Sequence, residues 1–114
     1  MTALFWIKVI IAVATIGFGL LSVLRPRSAG AFTGLTAPGP RGISEIRSVI
    51  GGLFVGLGIA ALIFRTHSAF GTVGIGYLTV GAVRAASIYH DRAPTRSNWI
   101  SLGFEIVSGI LLLV

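Results

Sequence analysis

The sequence predicts an all-α integral membrane protein, a bundle of four transmembrane helices. Four observations lead there. Apolar residues make up 54% of the 114 and charged residues only 11%, where a soluble domain carries roughly a quarter. The mean hydropathy is +0.96. The apolar residues gather into four blocks, and a bilayer core asks for about 20 such residues per helix. The arginines fall mainly between the blocks, where topology signals belong.

The first block runs from Ala3 to Leu24 and is broken only by Lys8. Ala29-Gly30-Ala31 resembles a cleavage site. However, no basic region precedes the block, and it is longer than the apolar core of a secretion signal. It is expected to stay as a helix. Residues 25–42 follow, rich in Gly, Pro, Ser and Thr, and Pro26, Pro38 and Pro40 predict a loop there. The second block, 43–64, opens with Glu45 and Arg47. Arg65-Thr66-His67 is a tight hairpin leading into the third block, 68–89, with Arg84 in its last turns. A short link with Pro94 leads into the fourth, 97–114, which holds Glu105. One domain, 1–114, accounts for the chain.

The loops set an orientation. Arg25, Arg27, Arg41, Arg92 and Arg96 fall on one side, Lys8 and Arg65 on the other. By the positive-inside rule both termini lie outside and the arginine-rich loops lie in the cytoplasm. Trp6 suits the outer interface, and Tyr89 and Trp99 the inner one. The five inner arginines are candidate contacts for lipid headgroups.

Glycine is about double its usual share, at 16 residues. In lipid, helices associate through small residues that let backbones approach. Each span carries such a stripe at helical spacing. The first is Lys8, Ala12, Thr15, Gly19 and Ser22. The second is Gly52 and Gly56, with Glu45 about two turns earlier. The third is Gly74, Tyr77, Gly81 and Arg84. The fourth is Ser101, Glu105, Ser108 and Leu112. The expected packing residues are therefore Gly52, Gly56, Gly74, Gly81, Ser101 and Ser108. The favoured reading is that these stripes face the bundle interior; the rival is that one of them, such as Gly52-x-x-x-Gly56, faces a partner protein.

Charges within spans are costly and mark sites by default. Hairpin order brings Glu45, Arg47, Arg84 and Glu105 toward one membrane face. A buried polar cluster is expected, with Arg84 and Glu105 as the first ion pair and Arg47 as the alternative partner of Glu105. Glu45 suits a helix N-terminus, with Ser44 as its cap. The cluster either fixes helix register or serves as a proton or ligand site, and register is favoured. For Lys8 and Arg65 the plain reading is snorkelling to a headgroup.

Chemistry is sparse. No cysteine is present, which removes thiolate nucleophiles and thiolate metal sites. His67 and His90 flank the third span, about 34 Å apart along a helix, too far to share a metal or haem. No nucleophile has a base placed beside it. The net charge of +6 comes with no basic run interleaved with aromatics, so nucleic acid is not an expected partner. The reading is of a non-enzyme without cofactor or metal.

The chain is similar in length and span count to small multidrug-resistance transporters, but its first span lacks their membrane-embedded acid. A second likeness rests on residues. Ser44-Glu45-Ile46-Arg47-Ser48 precedes Gly51-Gly52-Leu53 and Gly56; Gly81-Ala82-Val83-Arg84 is followed by Ser87 and Asp91; Glu105 comes last. From Ile43 to Leu112 this resembles DUF4345, a family of small bacterial four-helix membrane proteins of unassigned function, grouped with DoxX-like proteins. The resemblance implies a four-helix fold with a buried Glu/Arg set and no known reaction.

The expected role follows by subtraction. It is a non-catalytic accessory or assembly subunit of a larger complex for transport, lipid handling or respiration, in the bacterial cytoplasmic membrane. Its partners are lipids and a larger membrane protein or a second copy. The alternative is a stand-alone or homo-oligomeric transporter or lipid-binding protein using the Glu45, Arg47, Arg84, Glu105 set.

Overall fold

The computed structural model describes residues 2–114, which form five helices and no strand among the described residues. These are α1 (Ala3–Leu24), α2 (Pro26–Thr33), α3 (Pro40–Phe64), α4 (His67–His90) and α5 (Arg96–Leu113). Three of them, α1, α3 and α4, are long and apolar enough to cross a membrane. At 18 residues, α5 is shorter. It begins on Arg96 and holds Asn98 and Glu105.

The segment 25–42 corrects a sequence expectation. Pro26 and Pro40 do not prevent helices; each starts one, at the first helical positions of α2 and α3. Proline lacks only an N–H that would be unpaired there, and its fixed φ suits the first turn. The loop shrinks to 34–39, with Pro38 in it. Gly34 closes α2 in the left-handed region, φ 79°, and donates its N–H to the Gly30 carbonyl. Because α3 starts at Pro40 after Gly39, Ser44 and Glu45 sit more than one turn inside it, and Ser44 is not its cap. Threonines take that role elsewhere. Thr66 accepts from the Ala69 N–H at 3.0 Å and Thr95 from the Asn98 N–H at 3.4 Å.

Within α3, residues Ile46–Gly52 form a π-helical stretch, in which each N–H reaches back five residues. Each residue there turns the chain by less than the α-helical 100°. A face extrapolated from Glu45 therefore drifts out of register before Gly52.

The chain divides into two compact units. One comprises residues 2–8 with Arg65–Val114, the other Val9–Phe64. In the first, α4 packs on α5 at a reciprocal glycine contact. A Cβ on Gly74 would fall 2.9 Å from the Gly109 carbonyl oxygen, and one on Gly109 3.0 Å from that of Gly74. Tyr77 meets Phe104 edge-on at 5.6 Å, and Phe70 and Leu112 are fully buried.

In the second unit, α1 meets α3 the same way. A Cβ on Gly19 would fall 2.8 Å from the Gly51 carbonyl oxygen, and one on Gly51 3.0 Å from that of Gly19. One on Gly58 would press on the Ala12 carbonyl at 2.8 Å. The Phe18 and Phe54 rings meet alongside, tilted, with centroids 5.5 Å apart. The Thr15 and Ser22 hydroxyls are buried and donate within α1, to the carbonyls of Ile11 and Phe18, so neither is left unpaired in an apolar setting.

Candidate functional site

Arg84 stands on α4 and Glu105 on α5, in the first unit. The glycine contact brings these helices close enough for the two side chains to meet. Arg84 donates from Nε to Glu105 Oε1 at 2.6 Å and from Nη2 to Oε2 at 2.7 Å. This is the two-pronged geometry that makes a guanidinium–carboxylate pair strong and directional. The Glu105 side chain is 9% exposed and that of Arg84 31%.

A third residue completes the network. Arg84 Nη1 donates to Asn98 Oδ1 at 2.8 Å. The Asn98 amide nitrogen donates to the Ala93 carbonyl at 2.9 Å, and its backbone N–H to the Thr95 cap. The network thus ties α4, the 91–95 turn and the first turn of α5 together. Both carboxylate oxygens are taken by one guanidinium, which is itself oriented by an amide. Chemically this is a closed clamp.

The other two members of the expected cluster have partners of their own in the second unit. Glu45 pairs with Arg41 one turn earlier on α3, and both are exposed. Arg47 donates to the Val23 carbonyl, capping the last turn of α1. The structure brings Arg84 and Glu105 together and gives Glu45 and Arg47 different contacts.

The packing residues divide likewise. Gly74, Gly81 and Ser108 are buried and Ser101 is half-buried. A Cβ on Gly81 would fall 2.7 Å from Ile106 Cδ1. Gly52 and Gly56 are exposed, and a Cβ on Gly56 would meet nothing within 4 Å. On α3, Gly51 and Gly58, seven residues apart, carry the contact to α1. The π stretch shifts which glycines of α3 meet α1.

Lys8 is 7% exposed, and its ammonium lies 5.7 Å from the centre of the Phe70 ring, a cation–π distance. Its side chain turns onto the protein rather than outward to a headgroup. Arg25, Arg27, Arg41, Arg92 and Arg96 are exposed. His67 and His90 occupy the two ends of α4, and no group of three His, Asp or Glu side chains converges on a metal position among the described residues.

Sequence reasoning missed Asn98, Gly109, Gly51 and Gly58. A signal existed for each. Asn98 lies seven residues before Glu105 on the same helix face, and Gly109 lies four after it. Gly51 and Gly58 repeat the seven-residue spacing of Ala12 and Gly19 opposite them.

No curated protein and no solved structure matches the chain. The family described as "Domain of unknown function (DUF4345)" matches residues 3–114. The glycine-rich helices and the Arg84–Glu105 clamp are therefore those of a member of the DUF4345 family.

Proposed function

We propose that the protein is a non-catalytic accessory or assembly subunit of a larger complex in a bacterial cytoplasmic membrane. In this reading α1, α3, α4 and α5 cross as a four-span bundle with both termini outside, in the manner of the DoxX-like group.

The observation that supports this most is the exposed Gly52-x-x-x-Gly56 face. α3 closes on α1 through Gly51 and Gly58, which leaves Gly52 and Gly56 open on a helix fit to span a membrane. Paired small residues at that spacing are what membrane helices use to approach one another. The charged groups point the same way. In the Arg84–Glu105–Asn98 network both carboxylate oxygens face one guanidinium, which suits a part that holds helices in register better than one that passes protons.

Purification of the tagged protein from its own membranes in nanodiscs, followed by native mass measurement, tests the proposal. The expected result is a stoichiometric protein partner, lost when Gly56→Leu closes the exposed face. A chain recovered only as a monomer, or an association indifferent to Gly56→Leu, would overturn it. Proton-coupled flux that disappears with Glu105→Gln while assembly survives would favour the transporter reading instead.

A further inference from the structure

An apolar cleft of about 280 Å³ opens in the second unit, between the 34–39 loop and the beginning of α3. Leu35 and Pro38 form the loop wall, and Ile46, Val49 and Ile50 the helix wall. All three helix residues belong to the π stretch. Such turns recur at functional sites. Leu35 and Val49 stay about half exposed, at 47% and 51%, so the cleft is open and apolar.

Its rim is charged. Gly42 and Glu45 line one side, and Arg41 stands next to Gly42 and pairs with Glu45. That pair is open to solvent, with the two side chains 80% and 52% exposed, and exposed ion pairs hold weakly. Arg41 is thus available to a stronger anion. The surrounding stretch is basic: residues 25–47 carry Arg25, Arg27, Arg41 and Arg47 against Glu45 alone. Glu45 is the charged residue that lines the slot, and it holds Arg41 beside the rim; an apolar slot with a displaceable cation beside it is complementary to a molecule with an apolar tail and an anionic head.

We propose that this cleft takes one acyl chain of an anionic phospholipid, with its phosphate on Arg41. The phosphate displaces Glu45 from Arg41, while the tail covers Leu35, Ile46 and Val49. Glu45 then acts as an internal competitor that sets how tightly the lipid is held. The proposal rests on membrane placement and is independent of any protein partner.

The test uses the full chain in nanodiscs of equal phosphatidylcholine and phosphatidylglycerol, with retained lipid counted by native mass spectrometry. One phosphatidylglycerol should be retained in preference to phosphatidylcholine. Arg41→Gln should lower that preference about fivefold, the effect of about one basic residue at an anionic surface. Glu45→Gln should raise it. Val49→Trp, which fills the slot, should abolish retention of both lipids, and Ile50→Trp serves if that variant does not fold.

Equal retention of the two lipids by the parent chain would mean ordinary boundary lipid and overturn the proposal. So would indifference to Arg41→Gln and Glu45→Gln. Loss with Arg41→Gln but not with either tryptophan variant would leave a bare headgroup contact and overturn the cleft.

Discussion

The pairings α4–α5 and α1–α3 are built on the same backbone contact and finished differently. Each has a reciprocal glycine pair, Gly74 with Gly109 and Gly19 with Gly51. Across α4–α5 lies the Arg84–Glu105–Asn98 network. Across α1–α3 Arg47 donates to the Val23 carbonyl. The difference separates two tasks. Glycine sets how near the helices come, because dispersion rewards close approach in lipid. The ion pair sets rotation and register, because a bidentate contact tolerates little of either.

The largest expected effect follows from breaking the clamp. Glu105→Leu leaves the Arg84 guanidinium without its acid, and losing one partner of a buried pair costs 3–5 kcal/mol. About 3 kcal/mol is expected here, because Arg84 keeps 31% of its side-chain exposure. The double change Arg84→Met with Glu105→Leu should recover most of it, since apolar replacements of a whole pair are often neutral. Reversible unfolding in bicelles, read as a double-mutant cycle, measures both. A double variant as unstable as Glu105→Leu alone would show that the pair does more than match its own charges.

The second effect sharpens the glycine half of the comparison with one substitution at two sites. Gly19→Ala would push its Cβ to 2.7 Å from the Val55 nitrogen and 2.8 Å from the Gly51 oxygen, both backbone atoms that cannot swing aside. A loss of about 1–3 kcal/mol is expected from this overpacking. Gly56→Ala meets nothing within 4 Å and should gain up to about 1 kcal/mol in helix propensity. The same unfolding assay on the isolated chain should give opposite signs, and equal signs would break the assignment of the contact face.

These sites also show what was legible in the sequence. The α1 stripe of Lys8, Ala12, Thr15, Gly19 and Ser22 is buried at every position. α1 is a regular helix, so a fixed angular step carries the face along it. The stripes of α4 and α5 hold for the same reason, and Arg84 meets Glu105 because their helices are regular on both sides of the turn. In α3 the seven-residue π stretch breaks that step. Its hydrogen-bond shift leaves no mark in composition or spacing, so the pattern alone does not say that Gly51 and Gly58, rather than Gly52 and Gly56, meet α1. Pro26 and Pro40 misled in another way. Their meaning depends on whether a helix begins or continues at that point, which a proline alone does not say.

The smallest effect concerns the turn beneath the clamp. Arg92 adopts φ 52°, and Arg65, at the start of the α3–α4 turn, adopts φ 51°. Both are in the left-handed region that glycine enters without strain. Gly34 takes the corresponding place after α2. Arg92 follows α4 in the turn that carries Ala93, which accepts from Asn98. Arg92→Gly relieves the φ strain but enlarges the freedom of the unfolded turn, so the two contributions oppose each other. A net change within about 0.5 kcal/mol is expected for an exposed turn position of this kind. A loss well above that would mean that the Arg92 side chain, and not only the backbone beside it, holds the turn that presents Ala93 to Asn98. Pairing Arg92→Gly with Asn98→Ala decides the matter. If the turn acts through Asn98, the two changes couple; if Arg92 serves only as an exposed cation, they add.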